Sequence, residues 1–266
     1  MRKLLFTTTL FCTLFLLAHS AFAWGTTGHR VVSEIAERNL SKKAKKNLYA
    51  LIGGQKLAYW ANWADNQRSD TTGKWKHTTG TWHYINLPSH LTQQAFYDAV
   101  KNYPKESVYS QIDFLKNKVK DKSLSKEERK DYLAFLIHFM GDLHQPMHIG
   151  RAEDLGGNKV NVNWFGRSSN LHTVWDTDLV DFQKWSYTEY ATVLDILPQN
   201  DVRQIQNSSM LDWLYETYQL TNEIYTATPF GSNLSYPYTY YYTEKMNLQL
   251  LKAGLRLAKI LNEVLG

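Results

Sequence analysis

Apolar positions along most of this chain recur at helical spacing rather than alternating. Val31, Val32, Ile35, Ala36 and Leu40 fall at three- and four-residue intervals, which predicts a helix entered at His29 and running to about residue 40. Residues 41–51 predict a second helix, stopped by Gly53 and Gly54, and residues 57–70 a third. The polar stretch 71–80 is expected to be a loop, and Trp82 to Pro88 an extended aromatic segment. Residues 92–121 predict two helices broken near Pro104. Ser125, with Glu128 three residues later, is a capping box for a helix that runs through an apolar stretch to about residue 142. After a loop, residues 160–165 alternate enough for a short strand and residues 166–170 turn the chain. Asn170 can cap a helix bearing His172 and Asp176. Residues 201–227 and 243–265 predict further helices, with an aromatic loop between them. No repeat, linker or second domain is visible. The expected fold is all-α: a single, mainly helical domain with one or two short β pieces.

The first 23 residues stand outside this pattern. Arg2 and Lys3 precede an apolar run from Leu4 to Ala18, and Ala21-Phe22-Ala23 is an A-x-A cleavage site, so residues 1–23 are expected to be a secretory signal peptide. Export to the periplasm or the medium is the expected localisation. Residues 24–266 are expected to form a single catalytic domain, long enough for its own core. The leader holds the only cysteine, Cys12, so the exported chain would carry neither a disulfide nor a thiolate metal site. It also holds two of the 30 basic residues and no acid, leaving 28 against 25, a mild basicity compatible with anionic partners. The 17 tyrosines and nine tryptophans could be core or a stacking surface.

Candidate chemistry centres on His138-Phe-Met-Gly-Asp142-Leu-His144-Gln-Pro-Met-His148. His138 and Asp142 are four apart and share a helix face, where both can reach one metal ion. His172 and Asp176 repeat the spacing. Imidazole plus carboxylate without thiolate suits zinc or another divalent transition metal. One such pair is more often a satisfied core hydrogen bond; two pairs in one chain, with further candidates elsewhere, favour metal. Trp24, His29, Asp65, His83, His138, Asp142, His148, His172 and Asp176 are too many ligands for one ion and suit a cluster of two or three. Such clusters serve phosphoester cleavage by activating water and polarising phosphoryl oxygens. His144 is expected to be a core or supporting histidine.

The segments Trp24-Gly-Thr-Thr-Gly-His29, Trp63-Ala-Asp65-Asn-Gln-Arg68, Trp82-His83-Tyr84-Ile85-Asn86, His138 to His148, Asp154-Leu-Gly-Gly-Asn158 and Asn170-Leu-His172-Thr-Val-Trp-Asp176 resemble, in order and content, the zinc-dependent single-strand nucleases of moulds and plants, the nuclease S-one and P-one family. Beyond Asp176 the likeness is only helical and aromatic character. The resemblance implies the helical fold shared with zinc phospholipase C, and three zinc ions. Asp65, His83, His138 and Asp142 would hold the first. The α-amino group and carbonyl oxygen of Trp24, His29 and Asp142 would hold the second, with Asp142 bridging. His148, His172 and Asp176 would hold the third. Arg68 and Asp65 would be catalytic, Arg68 near the scissile phosphate. Tyr84 would stack on a base and Asn86 would meet a base edge, where some members carry aspartate. Asn158 would lie near the phosphate. The implied activity is endonucleolytic cleavage of single-stranded DNA and RNA to 5′-phosphate products, with 3′-nucleotidase action on nucleotides. A monomer without stable membrane association is expected, and the missing disulfides resemble bacterial members. Two other readings remain open on residues alone. One is a zinc phospholipase C acting on lipid phosphodiesters, although that family usually has glutamate where Asp176 stands. The other is a non-catalytic zinc-binding helical protein.

Overall fold

A computed structural model describes residues 24–75 and 79–266, without the side chain of Arg68. The proposed leader and His77 lie outside the described residues. The helices in chain order are α1 (Thr26–Arg38), α2 (Lys42–Ile52), α3 (Leu57–Trp60), α4 (Trp63–Asn66), α5 (Gln93–Lys101), α6 (Val108–Lys120) and α7 (Lys126–Asp142). They continue with α8 (Leu171–Thr173), α9 (Leu179–Asp181), α10 (Tyr187–Leu194), α11 (Gln199–Gln206), α12 (Met210–Ala227) and α13 (Tyr236–Leu265). The expected mainly helical fold is therefore present.

α7 is the centre of the bundle. Ser125 starts it with the expected capping box: its hydroxyl accepts the Glu128 amide at 3.2 Å, and the Glu128 carboxylate accepts the Ser125 amide at 2.9 Å. Every residue from Leu133 to Asp142 is buried, so this half of the helix is enclosed on all sides. Trp63, Trp75 and Trp82 pack edge-on against Phe135 of α7, at 5.2, 5.1 and 5.8 Å between ring centres. Much of the tryptophan content is thereby core.

α1 lies along α13, and the two approach closely because Gly254 has no side chain. A Cβ there would fall 2.6 Å from Cβ and Cγ2 of Ile35 and 3.0 Å from the Val32 carbonyl oxygen. Gly254→Val is expected to force these helices apart and to cost about 1–3 kcal/mol, measured as a lower midpoint in urea unfolding. An unchanged midpoint would mean that the contact yields freely.

The β content is a small sheet of order β2-β1-β3. β1 (Asn161–Trp164) pairs antiparallel with β2 (Arg167–Asn170), Asn161 opposite Asn170. β3 (Asn233–Leu234) pairs parallel with β1. Five expectations need correction. Residues 166–170, expected to turn the chain, are strand from Arg167, and the turn is Phe165–Gly166, because Trp164 pairs directly with Arg167. The single helix expected over residues 57–70 is two short helices and a 3-10 turn, Gln67–Ser69. The Trp82–Pro88 segment opens with another 3-10 turn, Gly80–His83, and is extended only from Tyr84. Residues 201–227 form two helices, interrupted at the Ser209 cap. The aromatic loop expected before residue 243 is helical from Tyr236, with Pro237 in the first turn, where its missing amide costs nothing.

Candidate metal centre

The buried half of α7 presents His138 and Asp142 one turn apart, as the four-residue spacing requires. α7 ends at Asp142, and a 3-10 turn, Pro146–Ile149, brings His148 back beside it. His148 Nδ1 stands 3.8 Å from Asp142 Oδ1. The extended segment after His83 lies against this turn, Ile85 donating its amide to the His148 carbonyl at 2.9 Å. α1 brings His29, whose ring stacks on His138 with centres 3.9 Å apart. α4 brings Asp65. Asn170 caps α8 through the Thr173 amide at 2.8 Å, and the chain then passes through a π turn, Val174–Asp178, that carries Asp176.

These segments gather donor atoms in three adjoining groups: His29, His138 and Asp142; Asp65, His83 and His138; and His148, His172 and Asp176. Within each group the donor atoms lie within 4.8 Å of one another, and every member is buried. Asp142 faces two ways. Its Oδ1 is 3.4 Å from His29 Nε2, while its Oδ2 is 3.0 Å from His83 Nδ1 and 3.5 Å from His138 Nε2. In the remaining group, His172 Nε2 is 3.0 Å from Asp176 Oδ2 and His148 Nε2 is 3.9 Å from Asp176 Oδ1.

Hydrogen bonds behind the rings fix their orientation. Nδ1–H of His138 donates to the Ala61 carbonyl at 2.8 Å, that of His148 to the His83 carbonyl at 2.7 Å, and that of His172 to the Gly156 carbonyl at 2.6 Å. A carbonyl oxygen only accepts, so each neutral ring turns its Nε2 lone pair toward the carboxylates. Lone pairs of nitrogen and oxygen converging in a buried space repel one another, and a shared cation turns that repulsion into binding. The residues present therefore fit divalent metal, with the supporting bonds usual for metal-ligating histidine.

The electrostatics agree. Burial holds His29 well below its usual pKa, reinforced by His138, His148 and His83, so its ring is neutral and able to ligate. Burial pushes Asp176 up to about 6, against the opposing pull of His172 and Gln145. Without metal, folded Asp176 thus holds its proton more tightly than the unfolded chain, with its ordinary 3.8. Stability from this group is complete below that value and is lost as pH rises through about 6. A cation beside Asp176 favours the carboxylate and removes the loss. The gap in melting temperature between metal-loaded and chelator-treated protein is expected to widen from about pH 4 to pH 6. A constant gap across that range in differential scanning fluorimetry would contradict this.

A sequence profile of the S1/P1 Nuclease family matches residues 24–266. The chain belongs to the S1/P1 nuclease family. Membership makes it a nuclease, a hydrolase of phosphodiester bonds. It is 29% identical to "Nuclease P1" of Penicillium citrinum over 279 aligned positions, covering 91% of this chain and 98% of that protein. It is 33% identical to "Endonuclease 5" of Arabidopsis thaliana over 177 positions, covering 62% of this chain and 59% of that one. It is 27% identical to "Nuclease S1" of Aspergillus oryzae over 177 positions, covering 65% and 60%.

Eight of the nine proposed ligand residues fall in these three groups, and Trp24 falls in none of them. Trp24 is fully buried beside the cluster: a Cβ on Gly141 would fall 2.6 Å from His29 Nδ1 and 3.6 Å from Trp24 Cδ1. The neighbouring Gly25 amide donates to the Asp176 carbonyl at 2.6 Å. Tyr84, 36% exposed, follows His83 directly. The side chain of half-buried Asn158 donates to the Leu155 carbonyl at 2.8 Å and lines a cavity of about 360 Å³ with Asn170 and Thr173. Asn86 is half-buried near Tyr103, its amide 3.4 Å from the Tyr103 hydroxyl. Arg68 lies in the 3-10 turn after Asp65, and its side chain lies outside the described residues. His144 is a core residue: its Nδ1 bonds to the Met140 carbonyl at 2.8 Å, and its Nε2 meets Arg256 at 3.1 Å.

Two residues of the site have no role visible in residue type or spacing. Gly141 makes room for the His29 ring. Gln145 donates its side-chain amide to Asp176 Oδ1 and accepts the Met147 amide, so it orients one ligand carboxylate while fixing the turn that carries His148. The signal available in the sequence was their place inside the densest ligand stretch.

Proposed function

We propose that the protein is an exported, zinc-dependent endonuclease of single-stranded DNA and RNA that leaves 5′-phosphate ends and also removes 3′-phosphates from nucleotides. The observation that supports this most is the set of three buried His/Asp groups, adjoining through Asp142 and His148, in a chain of the S1/P1 nuclease family. Asp65, His83, His138 and Asp142 would hold one zinc, Trp24, His29 and Asp142 a second, and His148, His172 and Asp176 a third. Bound there, zinc supplies a Lewis acid for the phosphoryl oxygens and lowers the pKa of water. His138 also stands within the His29 group, so it is shared between the first two sites in position as well as Asp142.

The remaining work falls to the chain itself. Asp65, at 8% exposure against 0% for Asp142 and 3% for Asp176, is the ligand carboxylate that solvent reaches best. It is therefore the one placed to take a proton from an incoming water. Arg68, one helical turn further on, would neutralise charge building on the phosphate. Tyr84, exposed beside His83, offers a face for an unpaired base, and Asn86 and Asn158 offer amides to base edge and phosphate. Stacking accepts any base, so sequence preference should be weak.

Residues 1–23 would be the leader and residues 24–266 the catalytic domain, acting as a monomer. Among the described residues no helix is long and apolar enough to cross a membrane. Cleavage before Trp24 would free the amino group that joins the second site, which ties activity to export.

The test is an assay of protein beginning at Trp24 on single-stranded DNA, single-stranded RNA and phosphatidylcholine, with and without chelator. Chelator-sensitive cleavage of the nucleic acids to 5′-phosphate ends is expected. Cleavage of the lipid alone would transfer the chain to phospholipase chemistry, and no hydrolysis by zinc-loaded protein would leave only metal binding. Within the same assay Arg68→Ala is expected to keep its zinc and to lower kcat by about 100-fold. A variant with full kcat would remove Arg68 from the chemistry.

A further inference from the structure

A second charged feature lies at the other end of α7. There the surface forms a cavity of about 630 Å³ lined by Lys43 and Asn47 of α2, Lys120 at the end of α6, Lys122 in the following turn, and Lys126 and Arg129 of α7. None of its lining side chains is a carboxylate. Like charges gather here because α6 and α7 are antiparallel neighbours joined by a tight turn, with α2 across from them.

The acidic residues of that turn are committed elsewhere. Asp121 accepts from the Ser123 amide and hydroxyl at 2.9 and 2.6 Å. Glu128 is held by the Ser125 cap at 2.9 Å, and Glu127 pairs with Lys130. Among the described residues, no carboxylate lies within the 4.0 Å ion-pair distance of Lys43, Lys120, Lys122 or Lys126. Arg129 is fixed by donating its Nε–H to the Val119 carbonyl at 2.9 Å. Five cations facing one concavity repel one another, and an anion with several charges relieves that repulsion. The volume falls in the range of sites for ligands of nucleotide size.

We propose that this cavity is a phosphate-backbone exosite, a second contact that captures longer single strands by their phosphates. The proposal rests on the nuclease reading of the metal centre. Lys126 is twelve residues from His138, about 18 Å along the helix axis, so these cations are remote from the chemistry and a dinucleotide cannot reach both places. Lysines act as point charges with no aromatic partner among the lining residues, so capture is indifferent to base and sensitive to salt. The site raises the affinity for long strands and leaves the bond-breaking step unchanged.

The triple variant K120Q/K122Q/K126Q removes three of the charges from exposed positions. K101Q/K105Q/K184Q removes the same net charge from exposed positions elsewhere and serves as control. Kinetics on a long single-stranded oligonucleotide and on a dinucleotide are compared at several salt concentrations. The cavity variant is expected to raise KM for the long strand at least about fivefold and to reduce the slope of log KM against log salt by about 2, since each single-strand phosphate contact contributes about 0.7. Its kcat and its dinucleotide kinetics should match the parent, and the control should behave as the parent on both substrates. A long-strand KM and salt slope unchanged in the cavity variant, or an equal change in the control, would overturn the exosite. Failure of the parent to cleave either substrate would instead overturn the nuclease reading, so the two failures are distinguishable.

Discussion

Asp142→Asn is expected to lose most of its bound zinc and to cleave single-stranded DNA on the order of a thousandfold more slowly, a loss of about 4 kcal/mol of transition-state stabilisation. The two oxygens of Asp142 face different histidines, Oδ1 toward His29 and Oδ2 toward His83 and His138. An amide keeps the shape but replaces one negative oxygen with a donor NH2, which would point at a metal or at a ring nitrogen. One substitution therefore damages two sites. The third group, His148, His172 and Asp176, has its own carboxylate and should keep its ion. Zinc analysis alongside circular dichroism separates this outcome from unfolding. A folded Asp142→Asn protein with its full zinc content would show that Asp142 bridges nothing.

Gly141→Ala is the second large effect, and it comes from a residue that carries no chemistry. In an ordinary helix the change would stabilise by about 1 kcal/mol, because glycine is the poorer helix former. Here the new Cβ would fall 2.6 Å from Nδ1 and 2.8 Å from Cε1 of His29. The ring cannot slide aside easily, since it also stacks on His138 with centres 3.9 Å apart. His29 must turn or withdraw from Asp142, and roughly a 10- to 100-fold loss in metal affinity or activity is expected, as for other residues that orient a ligand. The strain should also cost about 1–3 kcal/mol of stability, outweighing the gain in helix propensity. Equal kcat and equal zinc in parent and variant would show that His29 tolerates the displacement.

The contrast between these two residues shows what was legible in the sequence. Asp142 could be picked out because a metal constrains residue type and a helix constrains spacing, and both constraints are local. α7 could be placed because its capping box and apolar run are local too. Gly141 carries no such local signal, since its role depends on where α1 sets the His29 ring. The assembly of three donor groups from α1, α4, α7 and the segments around His83 and Asp176 is likewise a tertiary fact. The errors in secondary structure share this origin. The start of α13 at Tyr236 reads as a loop because tyrosine and threonine are modest helix formers and proline the poorest, yet buried Thr239, Tyr242 and Met246 tie that turn to the core. β3 spans only two residues and exists through its pairing with β1, beyond the reach of any period. The π turn through Asp176 is likewise set by packing rather than by propensity.

The central claim is that the buried His/Asp groups are the hydrolytic centre and act through bound zinc. The most direct measurement is zinc content by plasma mass spectrometry on protein beginning at Trp24, followed through a chelator titration with nuclease activity recorded on the same samples. The account predicts about three zinc ions per chain, which the histidines and carboxylates of the three groups would hold. It further predicts activity that falls with the bound zinc and returns when zinc is restored. Protein stripped of zinc that still cleaves single-stranded DNA at the original rate would contradict it.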